Sequence, residues 1–275
     1  MYERVNFYRI ENNGEIPQDL QNRAFYDYAI KERARYTILP FIPKEIRDDY
    51  YMPAVTRNYI ALKFIPPSKI TPEMCDIVVK ENGDALKYLP NINRTFEICK
   101  IAVENTGDAI RYVPKKLITN DLCYIAIRNR PRSLAYIPKT MRTAELCKAA
   151  VLMNYRTIKY VPEELRTVEL YTMMIESNGS SLRCIPKKKI TVYMCNTAIA
   201  SDPHTITHVP LRLCTKDMCE SSVTAKPIMI WFIPKKFLTI ELIELAKSID
   251  PNCLMYDHIS RMEDNIKIIE KYNQD

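Results

Sequence analysis

Proline recurs at an interval of 24 residues through most of this chain. Self-similarity at a fixed period of about 20 to 50 residues is typical of stacked-repeat proteins, in which each repeat buries its apolar face against its neighbours. Two looser copies, at Pro17 and Pro43, precede the regular series. The regular series consists of Pro66, Pro90, Pro114, Pro138, Pro162, Pro186, Pro210 and Pro234.

Each repeat carries the start signals of an α-helix. With the proline as position 1, position 6 is threonine in all eight regular repeats, and position 8 is acidic in seven of them. A threonine hydroxyl accepts a hydrogen bond from the first helical turn, and an acid there interacts favourably with the helix dipole. The predicted capping threonines are Thr71, Thr95, Thr119, Thr143, Thr167, Thr191, Thr215 and Thr239.

The rest of the repeat predicts a second, shorter helix. Positions 9, 10, 13 and 14 are apolar, which places them on one helical face, and the small residue common at position 13 allows close approach of a neighbour. Position 18 is glycine or proline in seven of eight repeats. We expect glycine to end the first helix in the left-handed conformation and proline to begin the next helix. Leucine or isoleucine at position 21 then indicates about two further helical turns.

These signals predict an all-α fold, an α-solenoid of about ten 24-residue helix–turn–short-helix repeats. A leucine-rich repeat can share this length, but the strand-type leucine pattern with its asparagine is missing. We expect an N-terminal arm or cap over residues 1–16, the solenoid over 17–257 and a C-terminal capping helix over 258–275. In the irregular first repeats, Asn22 and Asp48 are the expected helix caps.

The nine cysteines look at first like a disulfide or metal framework, but most fall on the repeat. Six occupy position 10 of the predicted buried face, and the sequence contains no C-x-x-C motif. We therefore expect buried, unpaired thiols in a reducing compartment, the cytosol or nucleus. The six are Cys75, Cys99, Cys123, Cys147, Cys195 and Cys219.

Other chemistry finds little support in the sequence. No apolar run reaches the length of a membrane span, and the N-terminus does not resemble a signal peptide. His204 and His208 are spaced as a helical metal pair, but Pro203 precedes them and His208 occupies a position that is usually aromatic. Phosphate-cradling glycine loops and hydrolase motifs are missing. We expect no catalytic residues, metal, cofactor, small-molecule substrate or membrane association.

The basic residues, which leave a net charge of +7, recur by position. They fall at position 22 and in the loop after the proline, and position 23 beside them is commonly aromatic. Such stripes suit a single-stranded nucleic acid, with phosphates on the cations and bases on the rings. Alternatively, the lysines maintain solubility and the rings pack against the next proline. The candidate binding residues are Lys63, Lys87, Arg111, Lys115, Lys116, Lys159, Arg183, Lys187, Lys188, Lys235 and Lys236.

Two segments resemble a known family of short tandem helical repeats of unknown function, abundant in giant viruses of amoebae and present in amoeba-associated bacteria. They read Glu81-Asn82-Gly83-Asp84-Ala85-Leu86-Lys87-Tyr88 and Glu104-Asn105-Thr106-Gly107-Asp108-Ala109-Ile110-Arg111-Tyr112. The likeness extends over about residues 43–257. The chain departs from the family by its fixed Val/Ile-Pro and by its threonine cap, where the family often has aspartate. The resemblance implies a solenoid and a viral setting, and it transfers no functional residue.

Two functions follow as expectations. The first is a non-enzymatic scaffold or adaptor that binds a protein partner along the repeat surface, within a viral or host RNA-handling or translation complex in the cytoplasm. The alternative is RNA or single-stranded nucleic-acid binding by the basic, aromatic-interleaved stripe.

Overall fold

The computed structural model describes residues 16–32 and 35–254, and within them every regular element is a helix. The predicted arm over 1–16, except for Ile16, and the predicted capping helix over 258–275 lie outside the described residues. The chain divides into two compact units, Met1–Leu146 and Cys147–Asp275.

The α-helices follow the predicted start signals. In the irregular N-terminal part they are short: α1 Arg23–Asp27, α2 Lys44–Arg47 and α3 Tyr51–Arg57, with a π-helical segment Tyr28–Glu32 after α1. Each regular repeat contributes one helix of ten residues: α4 Pro72–Glu81, α5 Phe96–Asn105, α6 Asn120–Asn129, α7 Ala144–Met153, α8 Val168–Ser177, α9 Val192–Ser201, α10 Lys216–Ala225 and α11 Ile240–Ile249.

The predicted short second helix is present, and it is a 3₁₀-helix of about six residues. These elements are Tyr36–Phe41, Tyr59–Phe64, Gly83–Tyr88, Gly107–Tyr112, Pro131–Ala135, Tyr155–Tyr160, Gly179–Cys184, Pro203–His208 and Pro227–Phe232. A further 3₁₀ turn follows most of the repeat prolines: Gln18–Leu20, Pro67–Lys69, Asn91–Asn93, Lys115–Leu117, Lys139–Met141, Glu163–Leu165, Lys187–Lys189 and Lys235–Phe237, with another at Asp48–Tyr50.

Within each unit, consecutive repeats stack side by side as in an α-solenoid. In the first unit α3 packs on α4, α4 on α5 and α5 on α6; in the second, α8 packs on α9, α9 on α10 and α10 on α11. The 3₁₀-helix of one repeat also packs on the α-helix of the next, as Gly107–Tyr112 does on α6. The predicted all-α stacked-repeat architecture is therefore confirmed.

The threonine caps are confirmed in every regular repeat. The threonine hydroxyl accepts from the backbone N–H three residues later, as Thr71 does from Met74 at 3.2 Å and Thr239 from Leu242 at 3.3 Å. Asn22 caps α1 in the same way. The predicted cap at Asp48 is wrong: helix α3 begins at Tyr51 without a side-chain cap, and the Asp48 carboxylate instead pairs with Lys69.

The expected left-handed glycine is also wrong, because Gly83 and Gly107 begin 3₁₀-helices without a positive φ. Both are required for close approach. A Cβ on Gly83 would lie 2.0 Å from the carbonyl oxygen of Ala102, the small position-13 residue of the next repeat. The Asn105 side chain fixes this contact, since its oxygen accepts from Gly83 N–H at 3.0 Å and its amide donates to the Lys80 carbonyl at 2.8 Å.

The predicted burial of the ladder is confirmed, since its six cysteines are all buried and none of them forms a disulfide. Burial raises the pKa of Cys99, Cys123 and Cys195 to about 11. Cys214 lies off the ladder, and its Sγ atom is 3.7 Å from that of the ladder residue Cys219. Cys184 is only partly buried, unlike the other eight cysteines.

Candidate interaction surface

The five candidate cations at position 22 lie in the last turn of the six-residue 3₁₀-helices, and all are exposed. They do not project freely into solvent, because each lies over an aromatic ring. The Lys87 Nζ is 4.6 Å from the ring centroid of Tyr88, and Lys159 Nζ is 4.9 Å from that of Tyr160. The Tyr88 hydroxyl raises the pKa of Lys87, and Lys87 in turn lowers the pKa of Tyr88. We call positions 22 and 23 together the cation–ring row.

The cation–ring row connects neighbouring repeats. Lys63 reaches the ring of the following repeat, with its Nζ 5.2 Å from the centroid of Tyr88. Arg111 lies 4.6 Å from the ring of its own Tyr112 and 5.2 Å from that of Tyr136 in the next repeat. Its guanidinium also pairs with Asp84 of the preceding repeat at 3.2 Å. A position-22 cation thus covers a ring face that a nucleic-acid base would otherwise use for stacking.

The other six candidate cations lie in the 3₁₀ turns after the repeat prolines: Lys115, Lys116, Lys187, Lys188, Lys235 and Lys236, all exposed. One residue of each set, Arg183 and Lys187, lines a cleft of about 410 Å³ together with His208. Burial and the nearby Arg183 lower the pKa of His208.

The post-proline turns lie immediately before the α-helix N-termini, so positions 2, 3, 7 and 8 form one edge, which we call the edge surface. It displays apolar side chains at position 7: Val168, Val192 and Ile240 are 47%, 46% and 59% exposed. The acids at position 8, such as Glu169 and Glu241, are exposed there too. The edge surface therefore combines both signs of charge with exposed apolar groups.

The cation–ring row is interrupted at Cys184 and His208, where smaller side chains replace the usual ring, and clefts lie at both places. The cleft at Cys184 has a volume of about 410 Å³. Its lining comprises Arg156, Ile158, Lys159, Arg166, Tyr171, Cys184 and Pro186. A cleft of about 290 Å³ at His208 is lined in part by Asp202 and Phe232.

The two described histidines, His204 and His208, line one cleft together with Asp202. His204 lies beside Asp202, with 3.4 Å between Nδ1 and Oδ1, and its Nε2 is 3.4 Å from Lys226 Nζ. Within residues 16–32 and 35–254, no group of three or more His, Cys, Asp or Glu side chains could hold a metal ion. His258 lies outside the described residues. None of the described helices is both long and apolar enough to cross a membrane.

Sequence reasoning missed a recurrent arginine at position 5, which has a structural role. Arg94 donates to the carbonyls of Leu89 at 2.9 Å and Tyr112 at 2.9 Å, which joins two repeats. Arg47, Arg142 and Arg166 also donate to the carbonyl five residues earlier. The recurrence of arginine at position 5 was the sequence signal for this role. Because these guanidinium groups donate to backbone carbonyls, we do not count them among the cations available to a ligand.

Comparison with known proteins finds a repeat family without an assigned function. A family model described as a domain of unknown function (DUF4116) matches residues 71–118 and, in an overlapping second match, residues 96–142. The chain is thus similar to that family over repeats that include the Gly83–Asn105 contact. The search of curated proteins gives no match, and neither does the search of solved structures.

Proposed function

We propose that this protein is a non-enzymatic helical-repeat scaffold that binds a protein partner along its repeat surface. The observation that carries the proposal is the composition of the edge surface. It carries lysines after Pro114, Pro186 and Pro234, acids at position 8 in most repeats, and exposed apolar side chains at position 7 in the repeats of Val168, Val192 and Ile240. Protein interfaces combine apolar groups with a polar rim, whereas a polyanion would be repelled by the acids.

The second unit has the strongest form of this edge. In the repeat that begins at Pro186, Tyr193 replaces the position-8 acid and is 57% exposed, next to Val192. Lys187 and Lys188 precede them in the same repeat. Tyrosine is one of the residue types in which interface hot spots are enriched. The resemblance to viral repeats extends the proposal to a viral or host RNA-handling or translation complex in a reducing cytoplasm.

A matched pair of double variants tests this proposal. The site variant replaces Val192 and Tyr193 by serine, and the control replaces Leu152 and Met153, which are 38% and 53% exposed at the opposite end of an α-helix. Each immobilised chain is incubated with nuclease-treated extract of the producing cell. We expect a stoichiometric protein to be retained by the wild type and the control and lost from the site variant. Equal retention by all three would refute the edge surface as the interface.

Single-stranded nucleic-acid binding is the second candidate, favoured by the runs of exposed lysine at 115–116, 187–189 and 235–236. It predicts an affinity that falls steeply with salt, because each neutralised phosphate releases counterions. Base stacking, the second part of this candidate's binding mode, is less favourable because Lys87 and Arg111 already cover the rings of Tyr88 and Tyr112. Failure to bind a mixed single-stranded oligonucleotide pool at about 50 mM salt would eliminate it.

A further inference from the structure

The gap in the cation–ring row at Cys184 has the character of a binding site. Two position-22 cations lie over the position-23 ring of the next repeat: Lys63 over Tyr88 and Arg111 over Tyr136. By the same spacing, Lys159 corresponds to residue 184, which is a cysteine. Lys159 lines the cleft there and lies over the ring of its own repeat, Tyr160, while the next repeat offers no ring.

The walls of this cleft define the chemistry of its occupant. The lining carries three positive charges, on Arg156, Lys159 and Arg166, of which Arg166 is already held by backbone carbonyls, and none of the described residues in the lining is acidic. Two of these guanidinium and ammonium groups remain exposed, at Arg156 and Lys159. Arg166 is anchored by its bonds to the Val161 and Lys159 carbonyls at 2.9 and 3.2 Å. An occupant must therefore carry negative charge.

The remaining wall favours an aromatic ring. Ile158 and Pro186 are apolar, and Tyr171 stands at position 10, where six other repeats have cysteine. Burial raises the pKa of Tyr171; the nearby Arg166 acts against this effect and Glu163 adds to it. The volume of about 410 Å³ is that of a small ligand pocket and accommodates one side chain with its flanking backbone.

We propose that this cleft binds a tyrosine or phenylalanine side chain of a partner protein, in a segment where acidic residues flank the ring. The partner's ring takes the place that position 23 fills elsewhere, and its acids pair with Arg156 and Lys159. The proposal rests on the proposed protein-binding function and adds the partner's recognition chemistry. A nucleotide base with its phosphate is the competing occupant, and the test separates the two.

The test uses a dye-labelled peptide, acetyl-Asp-Glu-Tyr-Glu-Asp-amide, and its counterpart with alanine in place of tyrosine. Fluorescence anisotropy at low salt should show binding of the tyrosine peptide at least about tenfold tighter than the alanine peptide. Cys184→Tyr restores the ring of the row and should weaken binding by about tenfold or more, whereas Cys184→Ala leaves the cleft open and should bind like the wild type.

A second measurement covers the case in which Cys184→Tyr disturbs the fold. Because Cys184 is the one partly exposed thiol among the nine, its alkylation by iodoacetamide in the native protein can be followed by peptide mass spectrometry. The tyrosine peptide should slow this alkylation, and Arg156→Gln with Lys159→Gln should abolish the protection.

Three results would overturn the proposal: no binding of the tyrosine peptide, equal binding of the alanine peptide, or protection of Cys184 by adenosine monophosphate and not by the peptide. The cell-extract experiment above remains a separate test. Loss of the partner from the Val192/Tyr193 variant without any peptide binding would retain the scaffold function and refute the cleft.

Discussion

Replacing Gly83 by alanine tests how closely the repeats are packed. An alanine Cβ at this site would lie 2.0 Å from the carbonyl oxygen of Ala102 and 2.9 Å from its carbonyl carbon. Since ordinary contact begins near 3.4 Å, the two repeats would have to separate by about 1.4 Å. The obstacle is backbone, so no side-chain rotation can relieve it.

The expected cost follows from three terms. Overpacking of a close contact costs about 1–3 kcal/mol. Separating the repeats also lengthens the bond from Gly83 N–H to Asn105, whose net worth is about 1 kcal/mol. Against these, alanine stabilises by about 0.4–1 kcal/mol through the unfolded chain, because the glycine has no left-handed φ. We expect Gly83→Ala to lower the free energy of unfolding by about 2 kcal/mol.

The same contact recurs with graded severity, which provides internal controls. The Cβ-to-carbonyl-oxygen distance is 2.4 Å for Gly107 with Ala126 and 2.7 Å for Gly179 with Ala198. Urea unfolding followed by circular dichroism should therefore rank the alanine variants of Gly83, Gly107 and Gly179 in decreasing order of destabilisation. A neutral Gly83→Ala, or the reverse order, would refute the close-packing argument.

Three further predictions address the other structural devices. Asn105→Ala should lower the free energy of unfolding, measured with urea, by about 1–2 kcal/mol, because the N–H of Gly83 and the carbonyl of Lys80 both lose their hydrogen-bond partner. An unchanged free energy of unfolding would contradict the role of Asn105 in joining the two repeats. Arg94→Lys should lower the free energy of unfolding by about 1.5–3 kcal/mol, because an ammonium group cannot donate to the carbonyls of both repeats as the guanidinium does. An unchanged free energy of unfolding would contradict the role of Arg94 in joining the two repeats. Raising the pH from 9 to 11 should lower the free energy of unfolding by about 1 kcal/mol per pH unit for each of Cys99 and Cys123. The reason is that the unfolded thiol ionises near 9.0, while the native thiol stays protonated to about 11. That slope should be shallower in the Cys99→Ala/Cys123→Ala double variant, and an unchanged slope would show that other groups cause it.

The sequence predicted the parts of the fold that depend on local, repeated signals. Threonine at position 6 binds the backbone of its own helix, so the start of each α-helix could be read without knowledge of its neighbours. The role of Gly83 could not be read in this way. Glycine at a helix end usually indicates a left-handed residue, but here the requirement comes from the Ala102 carbonyl of another repeat.

The candidate surface was predictable in its residues and not in its contacts. The positions of Lys87 and Arg111 followed from the period, and the structure confirms that they are exposed. Their arrangement over Tyr88 and Tyr112 depends on stacking between repeats, which the sequence does not specify. For the same reason the sequence shows only that a cysteine, Cys184, stands at position 23, and the structure shows that a cleft lies there.

The most direct measurement of the central claim is the composition of what the intact chain retains from its producing cell before and after nuclease treatment. The protein-scaffold account predicts a partner protein at a stoichiometric ratio that nuclease leaves unchanged. Loss of all retained material on nuclease treatment, with RNA as the released component, would contradict it.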